Sequence, residues 1–285
     1  MCIGTAQFGM NYGIANQNGQ VHGNEIEAIL DLARENSIDT LDTAKVYGKS
    51  EEAIGHYIKS QPGNKWSIIT KISDSDIKVI DQVRDSTEKL TIQPTVVLAH
   101  SVELFLNEQF QKEVAEAREM KIITKTGVSL YSADEINQVM ESMIMPEVIQ
   151  LPMNILDARP YCNGLLTRMN NAGIEIHVRS AFLQGLFYLS EAGLKKRFVD
   201  AVPHINRLKS IAVEASLTLA EMSLLWLISL EEVSMVAIGL DNVEQLKMHL
   251  VTLKKNTDPA IFQEALSVQY KNENILNPSL WPSMS

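Results

Sequence analysis

Eight short apolar runs recur along the chain, each followed by a segment with helical periodicity. The runs are CIGTA (2–6), IDTLD (38–42), WSIIT (66–70), TVVLA (95–99), IITKTGVSL (122–130), EVIQL (147–151), IEIHVRS (174–180) and VSMVAIG (233–239). Helical patterns such as NEIEAILDLARENS, SEEAIGHYIKS, NEQFQKEVAEAREM and ARPYCNGLLTRMNNAG fill the gaps, and NVEQLKMHLVTLKK follows the last run. Ser132 with Glu135 reads as a capping box, and Gly173 as a helix stop that tolerates positive φ. A strand that pairs in parallel with its successor needs a crossover long enough to hold a helix, so this alternation implies βαβ units. Eight such units predict a closed (β/α)8 TIM barrel of parallel strands, built by residues 1–285 as one domain. An open doubly wound sheet is the competing arrangement. No Pro-, Gly- or Ser-rich linker divides the chain.

Bulk properties exclude several functions. The 25 basic and 35 acidic residues give a net charge of −10, which argues against a nucleic-acid partner, because phosphate binding needs a basic face. A local pocket for one phosphorylated cofactor is still compatible with that charge. Cys2 and Cys162 fit neither a zinc spacing nor a disulfide framework, so a reduced, cytoplasmic setting is the simplest expectation. No secretory signal opens the chain. Its most apolar stretch, LAEMSLLWLISL, is too short and interrupted for a span, so no membrane partner is expected. His56, His100, His177 and His204 are scattered without ligand spacing, which speaks against a metal-dependent barrel hydrolase. The sequence leaves the oligomeric state open.

Polar residues sit where the apolar runs end. Asp42 closes SIDTLD, Lys71 closes WSIITK, His100 closes TVVLAH and Gln150 closes PEVIQ, while Tyr47 follows in DTAKVYG. Parallel barrels build their sites at the carboxyl ends of the strands. A carbonyl that accepts hydride develops negative charge on oxygen, and a tyrosine can protonate it. Its reference pKa of about 10 is too high unless an ammonium lies close, held charged by a carboxylate. Asp42, Tyr47, Lys71 and His100 are the residue types this chemistry needs, with the histidine orienting the carbonyl or sharing the proton.

The same segments resemble the aldo-keto reductase family over nearly the whole length. GTAQFGMNYG (4–13) is similar to its opening strand and loop. DTAKVYGKSEEAIG (42–55) resembles its DTAxxYGxSE signature, and IITK (68–71) and LAH (98–100) resemble its lysine and histidine segments. TGVSLYS (126–132), VIQLPMNILD (148–157) and SAFLQGLF (180–187) match later motifs with Leu130, Met153 and Phe182 in place of the usual asparagine, tyrosine and proline. The resemblance implies an NAD(P)H-dependent oxidoreductase reducing an aldehyde, ketone or sugar carbonyl, with Tyr47 as general acid. Asp42 and Lys71 would lower its pKa and His100 would orient the substrate. It also implies cofactor contacts from Gly4 and Thr5 on the first loop, and from Ser129 and Gln150 at the nicotinamide carboxamide, with Asn154 nearby. Ser180, Leu183, Gln184 and Gly185 would lie near the pyrophosphate, and Gly239, Asn242 and Gln245 near the adenosine. No metal is implied.

The adenosine end departs most from the family pattern. AIGLDNVEQLKMHL (237–250) lacks the basic residues that commonly hold a 2′-phosphate, and Asp241 would repel one. NADP(H) is the cofactor the resemblance implies, with NAD(H) as the alternative. Helix N-terminal amides could still bind phosphate, and the absence of GxGxxG argues against a separate dinucleotide-binding domain. Phe8, Tyr12, Phe105, Phe182 and Trp281 are candidates to line the substrate loops. A second function consistent with the same barrel is a cofactor-binding, redox-sensing regulatory subunit similar to potassium-channel β subunits. That function would require a broad apolar docking face, and the helical patterns do not show one.

Overall fold

The structure, a computed structural model, describes residues 1–63 and 65–281. Strands β1 (Cys2–Gly4), β2 (Thr40–Asp42), β3 (Ser67–Ile72), β4 (Val96–Ala99), β5 (Lys125–Ser129), β6 (Val148–Pro152), β7 (Glu175–Arg179) and β8 (Met235–Gly239) pair in chain order, all parallel. β8 returns to β1, with Cys2 opposite Ala237 and Gly4 opposite Gly239, and closes the barrel. Every expected strand is present. The fifth begins later than its apolar run, because Ile122 and Ile123 turn back onto the preceding helix and both donate N–H to Ala117 O. Lys121, at φ 58°, makes that turn.

The expected helices form around the barrel, among them Gly23–Glu35, Ser50–Ser60, Glu108–Glu119, Leu219–Ser229 and Val243–Thr252. Ser132 and Glu135 make the anticipated capping box, and Thr218 with Glu221 makes a second. The segment ARPYCNGLLTRMNNAG is two short helices, Arg159–Cys162 and Leu165–Asn171, broken at Gly164 with φ 71°. Leu219–Ser229 is apolar on almost every face and buries most of its side chains within the fold, with Trp226 2% exposed. Among the described residues no single helix is long and apolar enough to cross a membrane.

Side chains alternate faces along a strand. Ile68, Val97 and Ile149 join the large core that the helices cover, whereas Ile69, Val96, Leu98 and Val148 form a separate cluster inside the barrel. Two residues further along each inward series come Lys71, His100 and Gln150, at the carboxyl end. On β7 the same count runs Glu175, His177, Arg179. Near the amino ends of the strands Glu175 accepts from Lys125 at 2.5 Å and lies 3.1 Å from His177 Nε2. Strand parity therefore carries polar groups through the interior along β7, beside the apolar cluster, and delivers Arg179 to the same rim as Lys71.

Candidate active site

At the rim, Lys71 Nζ donates to Asp42 Oδ1 at 2.6 Å and to Thr43 O at 2.9 Å. Gln150 Nε2 donates to the other oxygen, Asp42 Oδ2, at 2.6 Å. Asp42, Lys71 and Gln150 are all buried. The ammonium lies 5.2 Å from the centre of the Tyr47 ring, and the His100 ring meets Tyr47 edge-on at 6.3 Å. The four residues named from the sequence thus converge. Burial opposes the charged form of Lys71, but the Asp42 carboxylate and Tyr47 outweigh it, and its pKa is raised. The lysine is therefore an ammonium at neutral pH. Burial, reinforced by the charges of Lys71 and Arg179, pushes His100 down to about 4, so this imidazole is neutral and can both donate and accept a hydrogen bond.

The signature around Tyr47 is a mechanical device. Thr43 Oγ1 donates to Ser50 Oγ at 3.1 Å, and Ser50 Oγ donates to Thr5 O at 2.9 Å, tying the loop to β1. The buried Glu51 carboxylate accepts from Thr70 Oγ1 at 2.7 Å and ties the following helix to β3. Gly48, at φ 56°, lies so close to the first loop that a Cβ would come 2.3 Å from Gly9 O. A Cβ on Gly9 would in turn come 1.7 Å from Tyr47 O. These two backbones touch because both residues lack side chains, and that contact fixes the origin of the Tyr47 side chain.

A cleft of about 290 Å³ runs from Tyr47 and Asp42 across the ends of β1, β7 and β8 to His249. Gly4, Thr5, Ser180, Gln184, Gly185, Gly239 and Gln245, which the family resemblance marks as cofactor contacts, line it. The other residues marked in this way do not line the cleft. Ser129 and Gln150 are buried beneath the cleft, with Ser129 Oγ 3.5 Å from Gln150 Oε1. The Leu183 side chain is in the core, Asn242 caps a helix through Gln245 N at 3.0 Å, and Asn154 Nδ2 donates to Ser180 O at 3.2 Å. Of the aromatic candidates, Tyr12 and Phe182 line the cleft, whereas Phe8 and Phe105 are buried in the core. Trp281 packs on Phe198 and donates to Ile275 O at 3.1 Å, and the rest of that tail (282–285) lies outside the described residues.

The loop after β7 carries backbone strain. Ser180, Leu183 and Gln184 have φ of 62°, 48° and 51°, a region that non-glycine residues rarely occupy. Ile14 N to Gln184 O (2.9 Å) and Ser223 Oγ to Ala181 O (2.8 Å) hold the loop there. Such strain clusters at ligand-binding sites. Two further lining residues have unsatisfied atoms: Gln7 Oε1 and Asp241 Oδ1 are buried without a hydrogen-bond partner. A Cβ on Gly239 would come 2.6 Å from the Gln7 amide, and one on Gly185 would come 2.9 Å from Ala15 Cβ. A groove walled by glycine backbone, with spare acceptors and a charged donor, fits a nicotinamide dinucleotide. The half-buried Arg179 is the one cleft residue of high consequence that motif reading passed over. The inward parity of IEIHVRS was the signal for it.

A sequence model of the Aldo/keto reductase family matches residues 1–265. The chain belongs to that family and is an oxidoreductase. Its fold is similar to the holo form of an aldo-keto reductase from Bacillus halodurans, with a TM-score of 0.75 at 18% identity over 95% of this chain and 92% of that one. It is also similar to a thermostable aldo-keto reductase solved with the inhibitor epalrestat (TM-score 0.71, 20% identity, 94% of each chain). A Pseudomonas aeruginosa protein described as an aldo-keto reductase matches with a TM-score of 0.61 at 18% identity, covering 93% of this chain and 89% of that one.

Proposed function

We propose that this protein reduces the carbonyl of a small aldehyde, ketone or sugar to an alcohol, with Tyr47 as the proton donor. The observation that carries the proposal is the buried Asp42–Lys71 pair set beneath the Tyr47 ring at the inner end of the cleft. A reduced nicotinamide bound there supplies hydride. The residues of the chain do the rest. Lys71 favours the phenolate that remains once Tyr47 has given its proton to the carbonyl oxygen. Asp42 keeps Lys71 charged and, with Thr43 O, fixes its direction. Gln150 donates to Asp42 and acts here as a positioning residue. Neutral His100 offers one N–H to the same oxygen and carries no competing charge. Carbon gains hydride and oxygen gains the phenolic proton, so the product is a neutral alcohol.

Gly4, Thr5, Ser180, Gln184, Gly185, Gly239 and Gln245 would hold the dinucleotide, with Gln7 Oε1 as a further acceptor. Asp241 Oδ2 accepts from Gln245 Nε2 at 3.1 Å, leaving Oδ1 for a ribose hydroxyl. A carboxylate in that role suits an adenosine ribose without a 2′-phosphate. NAD(H) is therefore accommodated alongside NADP(H).

The test is Tyr47→Phe, which keeps the ring and removes the proton. Turnover of a reactive aromatic aldehyde should fall by about 10²-fold or more, while fluorescence titration shows reduced cofactor still bound. Near-normal turnover in this variant would remove Tyr47 from the mechanism.

A further inference from the structure

We propose that Arg179 makes this a site for carbonyl substrates that carry an oxyanion, a carboxylate or phosphate, beside the reacting carbon. The inference rests on the reductase reading of the same cleft. Among the described residues Arg179 is the only lysine or arginine that lines the cleft. Its Nη2 donates to Leu130 O at 3.1 Å and its Nη1 approaches Ser180 Oγ at 3.4 Å. A guanidinium has five N–H donors, so these contacts leave most of the fork unspent. No described carboxylate lies within ion-pair distance of it. Asp42 is already matched by Lys71, and His100 is neutral. The inner end of the cleft therefore carries one uncompensated positive charge.

The charge is also aimed. The guanidinium carbon lies over the Tyr131 ring, 4.2 Å from its centre, a cation–π contact that holds the head of the side chain in place. Tyr12 lines the same cleft as Arg179 and Tyr47. A planar fork set over a phenol ring, in the cleft that holds the Tyr47 hydroxyl, matches an oxyanion in shape and charge. Besides Asp42, the charged wall residue is Asp241, which follows β8 and is engaged with Gln245, whereas the Arg179 guanidinium reaches inward to Leu130 O and the Tyr131 ring after β5. An acidic substituent would therefore sit at the Arg179 end.

The decisive comparison uses matched pairs: 4-carboxybenzaldehyde against 4-carbamoylbenzaldehyde, and glyceraldehyde 3-phosphate against glyceraldehyde. Wild type should favour one anionic member by roughly 10- to 100-fold in kcat/KM, the range of one charge-assisted hydrogen bond, and the favoured pair identifies the anion. Arg179→Met should bring that ratio close to one, and Arg179→Lys should restore part of it. A purely structural role, bracing the Leu130 loop, would lower both members of a pair equally and leave the ratio intact, which would overturn the proposal. So would a wild type that reduces acid and amide alike, or an Arg179→Met variant whose main defect is weaker cofactor binding. Calorimetric titration of the product 4-(hydroxymethyl)benzoate and its amide separates this proposal from the reductase reading. Tighter binding of the anion, lost in Arg179→Met, sustains the anion site even if no aldehyde is reduced, and equal binding of the two removes it.

Discussion

In the proposed mechanism Lys71 is the residue on which the chemistry turns, and its two roles make opposite demands. It must be charged to help Tyr47, yet it is 1% exposed. The 2.6 Å bond to Asp42 resolves the conflict and ties the two groups together energetically. Lys71→Met removes the ammonium and strands the Asp42 carboxylate, still bonded to Gln150, in a buried site. Breaking one side of such a pair costs about 3–5 kcal/mol, so the single variant should unfold at a clearly lower temperature as well as lose turnover at pH 7. Lys71→Met combined with Asp42→Asn should recover most of the stability and none of the activity. Recovery of turnover in the double variant would show that Tyr47 does not depend on the ammonium. At the other end of the cleft Asp241 supports a second prediction. Wild type should discriminate weakly between NADH and NADPH, and Asp241→Lys should shift the ratio of their dissociation constants towards NADPH by about tenfold, ~1.4 kcal/mol. Titration of cofactor fluorescence measures both, and a thousandfold wild-type preference for NADPH would show that other groups hold the 2′-phosphate.

At the scale of elements, the strands and the convergence of Asp42, Tyr47, Lys71 and His100 at one rim were legible because two simple rules overlap. Apolar runs mark parallel strands buried on both faces, and a polar residue ending such a run has reached the rim. The DTAKVYGKSE motif added the Tyr47 loop. Arg179 was hidden in plain pattern: it ends a run as Lys71 does, but no motif drew attention to it. The fates of Ser129, Gln150, Asn154, Phe8 and Phe105 could not be read in one dimension. Whether a rim side chain faces the cleft or its neighbours depends on contacts between distant elements, such as Gln150 with Asp42. The short helices Glu191–Arg197 and Ala260–Leu266 were missed because so few turns carry little periodicity. Gly9 tests the inter-element view directly. Gly9→Ala places a methyl against Tyr47 O with backbone on both sides, so it should cost about 1–3 kcal/mol as overpacking does. Activity should fall further than stability accounts for, because the Tyr47 loop is what gives way. Chemical denaturation and kcat on the same sample provide the comparison. A variant of native stability and native kcat would mean that the two loops are not in contact.

For the whole molecule, the rim carries a stability cost that depends on pH. His100 and His249 are both pushed down to about 4 from 6.5, chiefly by burial. Lys71 and Arg179 add to the shift at His100, while Glu221 partly opposes it at His249. His249 is 6% exposed and stacks on Phe182 with ring centres 5.0 Å apart, so an imidazolium there would lose most of its hydration. A histidine whose native pKa is depressed binds its proton more readily in the unfolded chain. Stability therefore falls as pH drops below about 6.5 and stops falling, on this account, once the native groups also titrate near 4. The carboxylates whose native pKa values are lowered, Asp85, Glu175, Asp200 and Glu221, titrate below this range, so between pH 7 and 5 the imidazoles dominate. His249 alone should contribute a loss of about 2 kcal/mol over that interval, given ~1.4 kcal/mol per pKa unit. His249→Phe keeps a flat ring on Phe182 and removes the titration. Urea denaturation at pH 7, 6 and 5 should show wild type losing stability steadily and the variant losing about 2 kcal/mol less between the end points. If the two proteins lose stability in parallel, His249 is already solvated in the native state and the acid sensitivity of the fold has another source.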